Sequence, residues 1–165
     1  MGSLVIQPYH LSEARALPYQ EQDCRLTLAD ALEQYYRANE GVVKRPQQMA
    51  NDSGSLFSNH DICHVIFGLD TSLADEMVAD IRTTFSCKLS WQEQRARFTD
   101  KEALAVFGQL GVWRALTVPI RSLPRIIRVL LQSLSMTKRW PWTPPASFMT
   151  RTLADLRAEY GIKVI

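Results

Sequence analysis

Residues 58–76 read SNHDICHVIFGLDTSLADE, and the way this stretch folds decides the architecture around it. If it is helical as far as Gly68, His60 and His64 are four apart and share one face, about one turn from each other. Asp61 lies about 100° round the helix from His60 and about 60° from His64, so all three fall on one broad face. Gly68-Leu69-Asp70-Thr71 supplies a glycine C-cap and a turn. Ser72, with Asp75 three residues on, then has the capping-box pattern that opens a second helix, reaching about Phe85. Glu76 stands in the first turn of that helix. The stretch is therefore either a metal site built across two helices or two helix caps beside two ordinary histidines.

Working outward, TLADALEQYYRA (27–38) has Leu28, Leu32 and Tyr35 or Tyr36 at helical spacing, with Thr27 and Asp30 as a capping-box-like start. The polar run NEGVVKRPQQMANDSGS (39–55) reads mainly as loop with one short helix at most, and the quoted helix is expected to begin near Ser58. Thr99 followed by Glu102 caps a helix to about Leu116. Pro119 is expected to interrupt it, and a further helix is expected from about Ser122 to Ser135. RWPWTPPASF (139–148) cannot be regular helix, and a last short helix at Leu153–Glu159 stops at Gly161. No strand pair and no internal repeat stands out. The expectation is one all-α domain over residues 1–165, a compact bundle of six or seven helices.

Composition sets the outer limits. The chain of 165 residues is long enough for a real core, with 46% hydrophobic and 22% charged residues. A net charge of +2 is too small to argue for nucleic acid. Cys24, Cys63 and Cys87 are an odd number without regular spacing, which suits a reducing compartment rather than a disulfide framework. The first residues have neither the basic and apolar regions of a secretory signal nor the Arg-rich, acid-poor character of a transit peptide. No run of 18 or more apolar residues exists to span a membrane. A cytoplasmic location is expected.

A catalytic divalent metal needs three or four nitrogen or oxygen ligands and an open position. His60 and His64 would supply neutral imidazoles, while Asp61 and Glu76 would supply carboxylates to offset the 2+ charge. The same residues also fit simpler roles: Ser58 and Asp61 as a capping box, and Glu76 as an acid at a helix N-terminus. Cys63 suits core packing better than ligation. Of the remaining candidates, His10 is expected to be exposed, and Asp75 and Asp80 to serve as a cap and a solvated acid, or to orient a ligating histidine.

The spacing H60-D61-I62-C63-H64, eleven residues, then Glu76 matches the HDxxH-x11-E motif of the ubiquinone (coenzyme Q) biosynthesis family known as Coq-four. HDICHVIFGLDTSLADEM resembles that family's motif segment, Gly68 and Thr71 included, and TLADLRAEYGI is similar to its closing LxxLRxxLGI with a Trp-containing segment before it. LTLADALEQYYRAN looks like its opening helix. The resemblance implies an all-helical fold and a divalent metal, usually zinc, with magnesium or iron as other occupants, on His60, Asp61, His64 and Glu76. It further implies loss of the C1 carboxylate from a polyprenylated 4-hydroxybenzoate-type ring with hydroxylation there, the work of an oxidative decarboxylase (a lyase). The implied partners are a prenyl lipid, other quinone-biosynthesis proteins and a membrane surface, with peripheral placement on the inner membrane; a homodimer is left open. The chain departs from longer members in its short, polar stretch before the motif and in lacking a mitochondrial import segment.

Residues Val112 to Trp142 carry Arg114, Arg121, Arg125, Arg128, Lys138 and Arg139, with Trp113, Trp140 and Trp142 and no acid, the composition of an interfacial contact. Ile126, Ile127, Leu130 and Leu131 are placed either in an apolar groove for a prenyl chain or in the bundle core. Two other classes stand beside the enzyme. One is a non-catalytic prenyl-lipid scaffold with a structural metal. The other is an HD-type phosphohydrolase, which would want a further upstream histidine where only His10 is present.

Overall fold

A computed structural model of the chain describes residues 17–43, 45, 53–93, 95 and 112–165, with only the backbone described at 53–57 and 112–122. The fold is all-α. The longer helices are α1 (Leu28–Ala38), α2 (Ser53–Phe67), α3 (Leu73–Ser86), α4 (Val112–Ser135) and α5 (Leu153–Tyr160), with 3-10 turns at Pro18–Gln20 and Ala146–Phe148 and a short helical segment at 91–93. His10 and the start of the helix expected from Thr99 lie outside the described residues.

The N-caps read from the sequence at Thr27 and Ser72 form as expected, and Thr152 makes a third that the sequence reading did not single out. Thr27, Ser72 and Thr152 have extended backbones, and each hydroxyl accepts the N–H of the aspartate three residues on: Asp30, Asp75 and Asp155. The free N–H groups of α1 and α5 are then satisfied reciprocally. Leu28 and Ala29 donate to the carbonyls of Arg151 and Met149, while Leu153 and Ala154 donate to those of Leu26 and Cys24. The first and last helices are thereby joined at their N-termini.

At the other ends, Gly68 (φ 71°) and Gly161 (φ 68°) take the left-handed conformation that a Schellman cap requires. Leu69 N–H donates to His64 C=O and Gly68 N–H to Val65 C=O, and Ile162 and Gly161 repeat the pattern on Arg157 and Ala158.

The second half of helix α2, Asp61–Phe67, is buried all round, the pattern of a helix with neighbours on every side. Ile62, Cys63, Val65, Ile66 and Phe67 are all buried. It packs on α1 and α3, and α3 packs in turn on α4 in the most extensive helix contact. The buried Arg157 ties α5 into this core. Its guanidinium donates to the carbonyls of Ile66 (2.9 Å) and Val65 (2.9 Å) in the last turn of α2, and to those of Tyr19 (2.6 Å) and Glu21 (2.5 Å). A cation on those carbonyls also meets the negative end of the helix dipole.

Three expectations are corrected. Helix α2 begins at Ser53 rather than near Ser58, so Ser58 is a mid-helix residue and cannot form a capping box with Asp61. Pro119 does not interrupt: one helix runs from Val112 through Pro119 and Pro124 to Ser135. A proline removes one backbone donor and bends a helix without obliging it to end. Finally, a small strand pair exists, since Cys87–Lys88 (β1) runs parallel to Trp140–Pro141 (β2). Pro141 is accommodated because so short a ladder is all edge.

Candidate metal centre

Helix α2 contributes His60 and His64, and the cap at Gly68 turns the chain so that α3 returns Glu76 to them. His64 Nε2 lies 3.1 Å from His60 Nε2. Glu76 Oε2 is 3.2 Å from His60 Nε2, and its Oε1 is 3.4 Å from His64 Nε2. Glu76 is in the first turn of α3, as expected, but its carboxylate is directed to the imidazoles. Among the described residues His60, His64 and Glu76 form a group that could hold a metal ion.

Asp61, expected as a fourth ligand, is not in that converging group. It is buried and faces α1, where its Oδ2 accepts the Tyr36 hydroxyl at 2.8 Å. A position 100° round the helix from His60 meets a different neighbouring helix, and only tertiary packing shows which. Tyr36 itself was visible in the sequence only as a core position of α1. Tyr35, next to it, stacks on His64 with ring centroids 5.7 Å apart. Cys63 is buried with its Sγ 3.8 Å from that of Cys87 in β1, outside the ligand group. Asp75 is neither a cap side chain nor solvated, since it accepts the Asp70 N–H at 2.7 Å and pairs with Arg125 of α4.

The electrostatics are those of a polarised cluster. Burial alone would push the His64 proton off, but the Glu76 carboxylate outweighs it and holds the His64 pKa up at about 9. Burial likewise works to raise Glu76, and the two histidines overcome it, driving its carboxyl well below the usual range. Asp61 goes the other way: burial pushes it up to about 6, with the Tyr36 hydrogen bond and the histidines opposing.

The donor set fits a divalent cation. Two imidazole Nε2 lone pairs at 3.1 Å repel unless a proton or a metal ion lies between them. Zinc–nitrogen and zinc–oxygen bonds of about 2.0–2.1 Å in a tetrahedron place neighbouring ligand atoms about 3.3 Å apart, close to the separation of the two Nε2 atoms, while Glu76 reaches each histidine through a different oxygen. His64 is fully buried, whereas His60 is 22% and Glu76 41% exposed, so one side of the cluster is open to solvent. Among the described residues, three ligand groups with one side open would leave a coordination position for water or another small molecule.

No protein-family model, curated protein or solved structure matches the chain.

Proposed function

We propose that this chain is a zinc-dependent enzyme of prenylated-quinone biosynthesis. It would replace the C1 carboxylate of a polyprenylated 4-hydroxybenzoate-type ring by a hydroxyl. The observation that carries the reading is the meeting of His60, His64 and Glu76 at an open mouth, at the spacing of the HDxxH-x11-E motif. A divalent ion held by His60, His64 and Glu76 would supply positive charge for the ring carboxylate and for the charge left on the ring as CO2 departs. In this reaction the C1–carboxylate bond breaks, CO2 leaves and a C1–oxygen bond forms. Dioxygen is the oxidant; its second atom leaves as water, taking two electrons and two protons from an external donor.

The chain's own residues have separable tasks. Tyr35 and the capped end of α2 fix the His64 ring, and Glu76 ties α3 to α2 so that the ligand atoms are in place before any ion arrives. Asp61, raised to about 6 and held by the Tyr36 hydroxyl, is a group able to take up or release a proton at Oδ near neutral pH.

The test is elemental analysis of the purified protein beside His64→Ala and Glu76→Ala, followed by assay of prenylated hydroxybenzoates for CO2 release. About one equivalent of zinc in the wild type, lost in both variants with helicity intact, is expected. A metal-free wild type after zinc incubation and dialysis would remove the centre. Metal without turnover would leave the scaffold reading, in which the ion only clamps α2 to α3.

A further inference from the structure

The core holds a pair of sulfurs that the metal centre does not use. Cys63 of α2 and Cys87 of β1 are 24 residues apart in sequence, both are buried, and their Sγ atoms lie 3.8 Å apart, so one thiol donates to the other. A disulfide needs the sulfurs about 1.8 Å closer, a shift of the size that rotation about the two Cα–Cβ bonds supplies. Cys24, the third cysteine, belongs to the junction of α1 and α5, where its carbonyl accepts the Ala154 N–H.

Buried cysteines are ordinarily inert, because burial disfavours the thiolate and keeps reagents out. Two features set this pair apart. The first is charge. Arg82 of α3 is fully buried, and its Nε and Nη1 have no hydrogen-bond partner among the described residues. The Cys87 sulfur favours the charged form of Arg82 against burial. That influence is mutual, so the guanidinium favours the Cys87 thiolate in return. A cation with donors to spare beside a thiol is the surrounding in which a cysteine becomes a nucleophile. The second feature is access. Cys87 opens a two-residue strand paired with Trp140–Pro141, the next residue, Lys88, is exposed, and Lys88 and Pro141 line an open cleft. So short a ladder opens at little cost, and a small oxidant then has one strand to pass.

We propose that Cys63 and Cys87 are joined as a disulfide within the native fold by a hydroperoxide, with Cys87 as the attacking sulfur and Arg82 as the cation that holds its thiolate. The Cys87 sulfur attacks one peroxide oxygen, the O–O bond breaks, and a sulfenic acid forms while hydroxide leaves and takes the thiol proton as water. The Cys63 sulfur then displaces hydroxide from that sulfenic acid, which forms the S–S bond and, with the Cys63 proton, a second water. The two thiols lose two electrons and two protons, and the peroxide is reduced to two waters. The bond closes residues 63–87 into a ring that contains His64 and Glu76. Neither of these is a reactant, so this inference and the proposed metal chemistry can fail separately.

The experiment treats the reduced, purified full chain with hydrogen peroxide and counts thiols after denaturation. Peptide mapping without reductant identifies the pairing, and thermal melts compare the reduced and oxidised forms. The three thiols should fall to one, with Cys63 linked to Cys87 and Cys24 unmodified, and dithiothreitol should restore all three. The cross-link restricts the unfolded chain, so the oxidised form should melt several degrees higher, a rise absent in Cys63→Ala. Arg82→Met should slow the loss of thiols about tenfold or more with helicity unchanged. The count and the mapping decide on the wild type alone, whatever the variants do. Four results would each overturn the proposal: three thiols that persist in the native chain; a link that includes Cys24; an oxidised form that melts lower, which assigns the bridge to unfolded chains; and Arg82→Met protein that oxidises as fast as wild type.

Discussion

Two arginines, Arg82 and Arg157, are fully buried, and each has its pKa lowered by burial to about 10, yet they should respond oppositely to replacement by methionine. The shift from 12.5 to about 10 means that burial disfavours each charged group by about 3 kcal/mol. Arg157 offsets this with four short bonds to backbone carbonyls. In Arg157→Met, Val65 and Glu21 keep a backbone donor each, from Gly68 and Cys24, whereas Tyr19 and Ile66 lose the donor that Arg157 gave them. Taking about 2 kcal/mol for each of the latter and about 1 for each of the former, less the burial relief, the net loss is about 3 kcal/mol. For a chain of this length that lowers Tm by about 6–12 °C. Arg82 donates only to Gln132 and the Lys163 carbonyl and stacks on Phe67, while its Nε and Nη1 have no hydrogen-bond partner among the described residues. Arg82→Met removes a charge that is poorly compensated and should change stability by less than about 1 kcal/mol, as buried ions replaced by apolar side chains often do. Urea unfolding of the metal-free variants, followed by far-ultraviolet circular dichroism, measures both. Equal losses, or a larger loss at Arg82, would refute the account of burial offset by hydrogen bonding.

Other tests bear on the candidate centre and its supports. Because His64 is held at about 9, a proton occupies the ligand cluster at neutral pH, and zinc must displace it. Apparent zinc affinity, measured by chelator competition, should rise about tenfold per pH unit from pH 7 to 9 and level off above; Glu76→Gln, which removes the charge holding that proton, should flatten the rise. Asp61 has a folded pKa of about 6 against an ordinary 3.8, so the folded state holds its proton more tightly, and this contribution is lost as pH rises through 6. In metal-free protein Asp61→Asn should therefore gain about 3 kcal/mol at pH 8 and less than about 1 kcal/mol at pH 4, by chemical denaturation at the two pH values. Gly161→Ala places a Cβ 2.8 Å from the Thr137 backbone nitrogen, whereas at Gly68 the nearest atom, at 2.7 Å, is a methyl of Val164 that can turn aside. Both incur about 1–2 kcal/mol for the left-handed backbone, and thermal melts should show Gly161→Ala to be the worse.

What the sequence determined by itself was local. The caps at Thr27, Ser72 and Thr152 and the stops at Gly68 and Gly161 are set by bonds within about five residues, so their pattern is written in adjacent letters. The shared face of His60 and His64 follows from helical periodicity alone. The tertiary structure decided the rest, because it depended on which surface came to lie opposite. Glu76 reaches the histidines only because α3 folds back on α2, and Asp61 leaves them because Tyr36, 25 residues earlier, stands on the other side. Pro119 reads as a break from its missing donor, but α4 continues through it. Arg157 looks like a surface residue of a short helix until the carbonyls of Tyr19 and Ile66 close around it. The amphipathic pattern of α4 was plain in sequence; its outward direction was not. Periodicity fixes that a helix has two faces, and the polar side chains of α3 (Asp75, Arg82 and Ser86) determined which of them was buried.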